Sequence, residues 1–400
     1  MRILPGQNTK QREQIFAGTK YETERTDLCR EQNTKQREQI FDRNKFDIKP
    51  IERRKKMEFE LKERMLPAPV KGGFRMEGYW VWCGSVAKGE DGKYHMFASR
   101  WKKTLPMHPG WLLGSEIVRA VSDRPEGPYV CQETVLTARG AEYWDGRSVH
   151  NPHITRQGGK WVLYYMGSTH PFEDVREGEE LTSEDPRVIV ARSAKRIGIA
   201  VADRITGPWK RFPEPVMTVR PDCEDNFLVS NPAPCCNEDG SVLLMYKYRT
   251  YLKPPYEGLL HGPMKLNVAM ADHYNGPYRR EFSGSLFPED VVLEDPFIWR
   301  ENGTYRLIAK DMYGNICGER YGGVFAWSED GLHWNLRRGY CAYSRKILWD
   351  DGQERVMGNL DRPFILFEDG SPRCIFFATS DGTDSFMDAS ETWNMAVPLE

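Results

Sequence analysis

One strand pattern recurs five times along this chain, and a chain that repeats a strand unit has few ways to bury what it repeats. Five segments share a template: a polar residue, a Pro or small residue, an apolar pair, a turn with Gly, then an alternating aromatic and aliphatic strand. They read CGSVAKGEDGKYHMFAS from Cys83, HNPHITRQGGKWVLYYMG from His150, SNPAPCCNEDGSVLLMYK from Ser230, EDPFIWRENGTYRLIAKD from Glu294 and DRPFILFEDGSPRCIFFA from Asp361. The aligned turn glycines Gly92, Gly159, Gly240, Gly303 and Gly370 are 67, 81, 63 and 67 residues apart. That spacing suits a four-stranded blade with one longer insertion.

A second signature follows in phase. It reads AVSDRPEGPYV (120–130), AVADRITGPWKR (200–211), AMADHYNGPYRR (269–280) and AWSEDGLHWNL (326–336), each a strand, a tight turn and an aromatic that opens the next strand. The fifth unit has only the short tail ETWNMAV, so the ring is expected to close by pairing strands from both ends of the chain. A lone four-stranded sheet exposes two apolar faces and two edges, and radial packing buries the faces. Runs such as WVLYYM and RCIFFA, apolar on both faces, fit strands sandwiched between blades. The expected fold is all-β, a five-bladed β-propeller over 57–400. A two-sheet sandwich would not explain one phase-locked repeat.

Residues 1–56 differ. They hold 15 Lys and Arg against 9 Asp and Glu, which leaves about −8 for the remainder, and they repeat QNTKQREQIF at Gln7–Phe16 and Gln32–Phe41. This basic segment reads as a flexible or short-helical arm, as a dimerisation arm, or as an artificial duplication. The overall charge of −2 argues for neither nucleic acid nor an anionic membrane. No apolar run approaches the ~20 residues of a membrane helix. Nine scattered cysteines without CxxC pairs read as free thiols, and MRILPGQNTK lacks a signal-peptide core, so cytoplasm is expected.

In a propeller the first strand of each blade lines the central channel. The template puts Cys83, His150, Ser230, Glu294 and Asp361 at those strand starts, followed by Gly84, Asn151, Asn231, Asp295 and Arg362. Pro152, Pro232, Pro296 and Pro363 then interrupt ladder pairing, because Pro has no N–H to donate. Polar groups from symmetric positions thus converge on one cavity, although a single carboxylate at a strand start is often only a turn former.

These blade starts (NPHI, SNPAP, EDPFIW, DRPFIL), together with SEIVRAVSD at 115–123 and the GPY and GPW turns, resemble the five-bladed glycoside hydrolases of families 43, 32 and 117 over roughly 78–396. YWVWCGS and GKYHMFASRW look like the first blade of family 117 or a neighbour. The resemblance implies an oligosaccharide substrate and a general acid at the Glu of an E-x-P motif, here Glu294, which apolar Phe297 and Trp299 and the neighbouring negative charge of Asp295 would keep protonated. It places a catalytic Asp at the start of the first blade, where the template has Cys83. Asp361, Asp295 and Asp145 are the replacement candidates, and family 117 suggests His150 as an acid. Residues on blades facing across a channel favour inversion.

Arg100, Trp101, Glu116, Arg147, Asn151, Asn231, Lys247, Lys310, Asp311 and Arg362 are the expected substrate-positioning shell, each with a structural ion pair or core contact as the plainer reading. No cofactor is expected. A structural cation near His150, His153 and Asp145 is the one metal considered, and an ordered water would serve as well. Exo-acting hydrolysis is the leading activity, since the long loops 102–114, 168–188 and 251–264 would wall a pocket. A glycoside phosphorylase and a non-catalytic carbohydrate-binding propeller are the alternatives.

Overall fold

The computed structural model describes residues 60–400 except Glu177 and 254–259. The arm at 1–56, with its duplication and expected dimer contact, lies outside them. Blade 1 comprises β1 (Tyr79–Lys88), β2 (Tyr94–Lys102), β3 (Glu116–Ser122) and β4 (Val130–Leu136), and blade 2 comprises β5 (Ser148–Gln157), β6 (Lys160–Ser168), β7 (Arg196–Ala202) and β8 (Lys210–Arg211). Blade 3 has β9 (Leu228–Cys236), β10 (Val242–Arg249) and β11 (Lys265–Ala271), with a single bridge from Met270 to Arg279 where a fourth strand would lie. Blade 4 has β12 (Leu293–Glu301), β13 (Thr304–Asp311), β14 (Gly323–Ser328) and β15 (Asn335–Leu336). A hairpin of β16 (Lys346–Leu348) and β17 (Glu354–Val356) precedes blade 5, built from β18 (Asp361–Glu368), β19 (Ser371–Ser380) and β20 (Thr392–Pro398).

The inner strands neighbour one another in the order β1, β5, β9, β12, β18, and β18 returns to β1. The chain therefore forms a closed five-bladed propeller. The outer edge of blade 5 is covered from the other end of the chain: Phe74 and Asn394 exchange backbone hydrogen bonds of 2.8 and 3.1 Å, and Leu66 N–H donates to Pro398. Closure there needs a backbone without a side chain, because a Cβ on Gly73 would stand 2.0 Å from the Asn394 carbonyl oxygen.

All five template glycines adopt the left-handed region, with φ between 75 and 88°. Around most of them a Cβ would meet nothing, so the turn conformation, not space, selects glycine. The middle strands are buried along nearly their whole length, as strands covered on both faces by neighbouring blades must be. The eight described cysteines are all free.

Each inner strand carries a bulge at the same place, between Trp82 and Ser85, His150 and His153, Ser230 and Ala233, Glu294 and Phe297, and Asp361 and Phe364. Inside it one residue per blade is left-handed: Cys83, Asn151, Asn231, Asp295 and Arg362, with φ from 52 to 56°. This corrects the template in blade 1 by one residue. Trp82, not Cys83, is equivalent to His150, Ser230, Glu294 and Asp361, and Gly84 takes the place of the prolines. The β1–β2 turn (89–93) and the blade 3 turn (237–241) span five residues where those of blades 2, 4 and 5 span two; Pro232 kept blade 3 in phase, whereas blade 1, with Gly84 in place of the proline, was aligned on its turn glycine and slid.

Candidate active site

The bulges stack three layers around the axis. The lowest is a plug: His153 stacks on Phe297 at 5.8 Å, and Phe364 lies 5.1 Å from both rings. Above it runs a belt of hydrogen bonds formed by the left-handed residues. The Cys83 thiol donates to Asn151 Oδ1 (2.8 Å), Asn151 Nδ2 to Asn231 Oδ1 (2.9 Å), and Asn231 Nδ2 to Asp295 Oδ1. Asp295 Oδ2 in turn accepts the backbone N–H of Arg362 at 3.2 Å. Asn and Asp tolerate this backbone conformation better than other side-chain-bearing residues, and they also supply the pairing groups. Both functions explain the sequence at once.

The uppermost layer opens into a cavity of about 430 Å³. Three chain stretches wall it. The segment after β2 folds into helix α1 (Met107–Gly114) and contributes His108 and Trp111, and the segment before β7 forms α2 (Pro186–Ser193) and contributes Arg192. The loop after β19 adds Asp384, Ser385, Phe386 and Met387. Leu112 of α1 packs with Val188 and Ala191 of α2, which ties two of these walls together.

Ten of the fifteen sequence candidates line this one cavity: Glu294, Asp295, Asp361, His150, Trp101, Asn151, Asn231, Lys247, Lys310 and Arg362. Glu294 is clamped from two sides, with Lys247 Nζ 2.6 Å from one carboxylate oxygen and Lys310 Nζ 3.0 Å from the other. Lys310 also lies 2.8 Å from Asp361 Oδ1 and 3.5 Å from Asp295 Oδ2. Burial alone would raise the pKa of Glu294, but the two ammonium groups outweigh it and hold the carboxyl well below its usual range. Asp361 behaves in the opposite way. Burial pushes it up to about 7 against the pull of Lys310, and Asp295 and Glu294 add to the rise.

That reverses the expected protonation. Phe297 belongs to the plug, so it gives Glu294 no apolar jacket, and of the two carboxyls Asp361 is the one that keeps its proton to the higher pH. Nor do the two carboxyls face each other across the channel. They sit on neighbouring blades, 4 and 5, and two oxygens sharing one Lys310 nitrogen at 3.0 and 2.8 Å lie within about 6 Å of each other. The expectation of inversion stood on carboxyls facing each other across the channel, and these two instead approach from neighbouring blades.

His150 stacks on Trp111 at 4.8 Å and bonds through Nδ1 to the Ser115 hydroxyl at 2.8 Å. Burial first, then Arg362, Lys195 and Lys247, keep its pKa well below the ordinary value. It is an uncharged ring at neutral pH, not a charged acid.

The other five candidates lie elsewhere. Asp145 is buried among Arg139 (2.6 Å), the Tyr165 hydroxyl (2.7 Å) and Arg211 (3.4 Å), an ion cluster that fastens blade 2. It meets neither His150 nor His153, so the considered cation site is not assembled. Arg100 and Glu116 pair with each other at 2.7 Å on adjacent strands of blade 1. Arg147 holds Asp174 and the Phe172 carbonyl. Asp311 accepts the backbone N–H groups of Gly314, Ile316 and Cys317 and so shapes the turn after β13. For these residues the plainer reading is the observed one.

Sequence reasoning missed Trp82, His108, Trp111, Arg192, Lys195, Arg249, Arg320, Tyr321 and Phe386, all of which line the cavity. Most come from segments between the repeated strands, where no periodic pattern marks which side chain turns inward.

No family model matches the chain, and no curated protein matches it in sequence. Solved structures do match. A BT0996–RGII complex superposes with TM-score 0.60 at 13% identity, over 87% of this protein and 95% of that one. Zg3597, a family 117 glycoside hydrolase of Zobellia galactanivorans, gives 0.58 at 14% identity, covering 85% and 91%. A thermostable family 43 glycoside hydrolase gives 0.54 at 14%, covering 84% and 93%. The fold is that of the five-bladed glycoside hydrolases. At these identities the likeness is one of architecture, and the chemistry has to be argued from the cavity.

Proposed function

We propose that this chain is a glycoside hydrolase that removes a terminal sugar from an oligosaccharide. The observation that carries the reading is the pairing of Glu294, held ionised, with Asp361, held protonated up to about pH 7, on either side of Lys310. Two carboxyls whose surroundings drive their proton affinities apart are what acid-assisted glycosidic cleavage requires. Asp361 gives its proton to the leaving oxygen as the C–O bond breaks, and the Glu294 carboxylate meets the positive charge that develops on the anomeric carbon. A spacing under about 6 Å is nearer the ~5–5.5 Å of retaining enzymes than the ~6.5–9.5 Å of inverting ones. In that scheme Glu294 bonds to the anomeric carbon, and Asp361, now a base, takes a proton from the water that releases the sugar. Walls on three sides and a plugged floor support attack on chain ends.

The test is a screen of oligosaccharides from plant and algal walls by thin-layer chromatography, followed by proton NMR of the first-formed anomer. Glu294→Gln and Asp361→Asn are each expected to lower kcat by ~10²-fold or more. Folded variants that turn over at the wild-type rate would remove both roles.

Trp82 at the blade 1 position leaves that blade without a carboxylate, which favours a second reading: a carbohydrate-binding propeller without catalysis. Such a protein would bind a glycan in the same screen without cleaving it, and Glu294→Gln would keep its affinity. A phosphorylase would show product only with added phosphate.

A further inference from the structure

The cavity lining holds seven Lys and Arg against four Asp and Glu, and the surplus is not spread evenly. Lys247 and Lys310 are neutralised by carboxylates, but on the wall formed by α2 and the end of β10 three cations, Arg192, Lys195 and Arg249, make no ion pair within 4 Å among the described residues. Lys195 is only 4% exposed, and its ammonium lies 5.1 Å over the ring of Trp111. Arg192 Nη2 is buried with no hydrogen-bond partner. Arg249 Nη1 is turned to His261 Nδ1 at 2.7 Å and to the Gly262 carbonyl at 3.0 Å, both neutral groups. His261 cannot compensate the charge. Burial and the two arginines bring its pKa to about 4, so it is an uncharged ring with one acceptor nitrogen between two cations.

A buried cation without counter-charge, as Lys195 is, costs several kcal/mol and is rarely kept unless something neutralises it; Arg192 and Arg249 are half-buried beside it. Burial, then Lys247, Arg192 and Arg249, hold Lys195 well below its usual pKa, with only Glu294 acting the other way. An arriving oxyanion would relieve that strain. Guanidinium forks match the planar oxygens of a carboxylate or the tetrahedral oxygens of a sulfate, and a lysine adds a point charge. Trp111, with Lys195 on its ring, lines the cavity together with Trp101 and Phe386, so a sugar ring and its charged substituent would be held together.

We propose that Arg192, Lys195 and Arg249 form an oxyanion subsite, and that the sugar taken by this cavity carries an anionic substituent, a uronate carboxylate or a sulfate ester. The proposal rests on the reading of the cavity as a sugar pocket and names the class of sugar. The substituent sits on the wall away from Asp361, next to Glu294.

Equilibrium titration of the full chain, followed by tryptophan fluorescence, tests it with matched probes: galacturonate, galactose 6-sulfate and galactose; glucuronate, glucose 6-sulfate and glucose; and inorganic phosphate. In at least one set a charged sugar is expected to bind ~10-fold or more tightly than its neutral partner, with the advantage shrinking as salt is raised. The preferred member, uronate or sulfate, identifies the substituent. Arg192→Ala and Lys195→Met should each abolish the preference while leaving affinity for the neutral sugar near wild type and the melting temperature at or above it, and Arg192→Lys should restore part of the preference. Absence of a preference in every set overturns the proposal, as does equal loss of neutral and charged binding in the variants. Phosphate bound more tightly than any sugar would likewise overturn the assignment to a sugar substituent. Hydrolysis plays no part in this readout, so a chain that binds the acidic sugar and cleaves no glycoside keeps the subsite and sinks the glycosidase reading alone.

Discussion

Lys310 Nζ and Asp361 Oδ1 lie 2.8 Å apart on neighbouring blades, both side chains almost wholly buried. The same nitrogen reaches Glu294 and Asp295, so one ammonium group serves three carboxyls. Burial works against the charge on Lys310, yet Asp361, Glu294 and Asp295 raise its pKa well above the ordinary value.

Lys310→Met would leave three buried acids without their shared cation. Breaking a buried pair in this way typically costs ~3–5 kcal/mol, and urea denaturation of the variant should show a loss of that order. Because Lys310 is the main influence lowering the Asp361 pKa, the alkaline limb of the pH–rate profile should move to higher pH in whatever variant activity remains. An unmoved limb would take Asp361 out of the acid role.

The two carboxyls also predict opposite dependences of stability on pH. Folded Asp361 keeps its proton up to about pH 7, whereas an unfolded Asp releases it near ~3.9, so between those values the folded chain binds more protons and Asp361 makes stability fall as pH rises. Glu294 is depressed, so its contribution is present above ~4.3 and is lost as pH falls through its folded value. Urea titrations at about pH 5 and about pH 8 should find Asp361→Asn more favourable, relative to wild type, at the higher pH. A difference that does not change with pH would mean that Asp361 titrates normally.

The hydrogen-bonded belt gives a third expectation. Asn231→Ala removes the partners of Asn151 Nδ2 and Asp295 Oδ1 in a buried layer, at a cost of ~2–4 kcal/mol for the two groups. Asn231 also has φ of 52°, so Asn231→Gly should lose ~1 kcal/mol less than Asn231→Ala. Equal losses in chemical denaturation would mean that the left-handed backbone contributes nothing to the choice of residue.

Ring closure can be probed at Gly73. A Cβ there would collide with the Asn394 carbonyl oxygen, and φ is +70°, so Gly73→Ala should weaken the link between Phe74 and β20. The expected loss is at least ~1–3 kcal/mol. Hydrogen exchange should rise first at the amides of Phe74 and Asn394, and protection unchanged there would contradict the closure seen in the fold.

Periodicity alone carried the architecture. Five turn glycines, four prolines and the phase of the second signature state a local rule that holds in every blade, and closing the ring is the only way for such sheets to cover their faces and ends. The cavity was legible to the extent that it is built from the repeat, which is why Glu294, Asp295, Asp361, Asn151, Asn231 and Arg362 were found. His150 was found for the same reason, since symmetry brings equivalent positions to one axis.

What the repeat does not encode, the sequence did not disclose. With extra residues in the β1–β2 turn and no proline to mark the phase, Trp82 was hidden behind Cys83, because strand register is settled by ladder pairing with β2 and not by distance from a glycine. Arg192, Lys195 and Arg249 share no motif, and only the packing of α1 on α2 and the course of β10 bring them to one wall. The opposite shifts in proton affinity of Glu294 and Asp361 were beyond any reading of residue types. A proton goes where burial and neighbouring charge leave it, and both are properties of the folded chain in three dimensions.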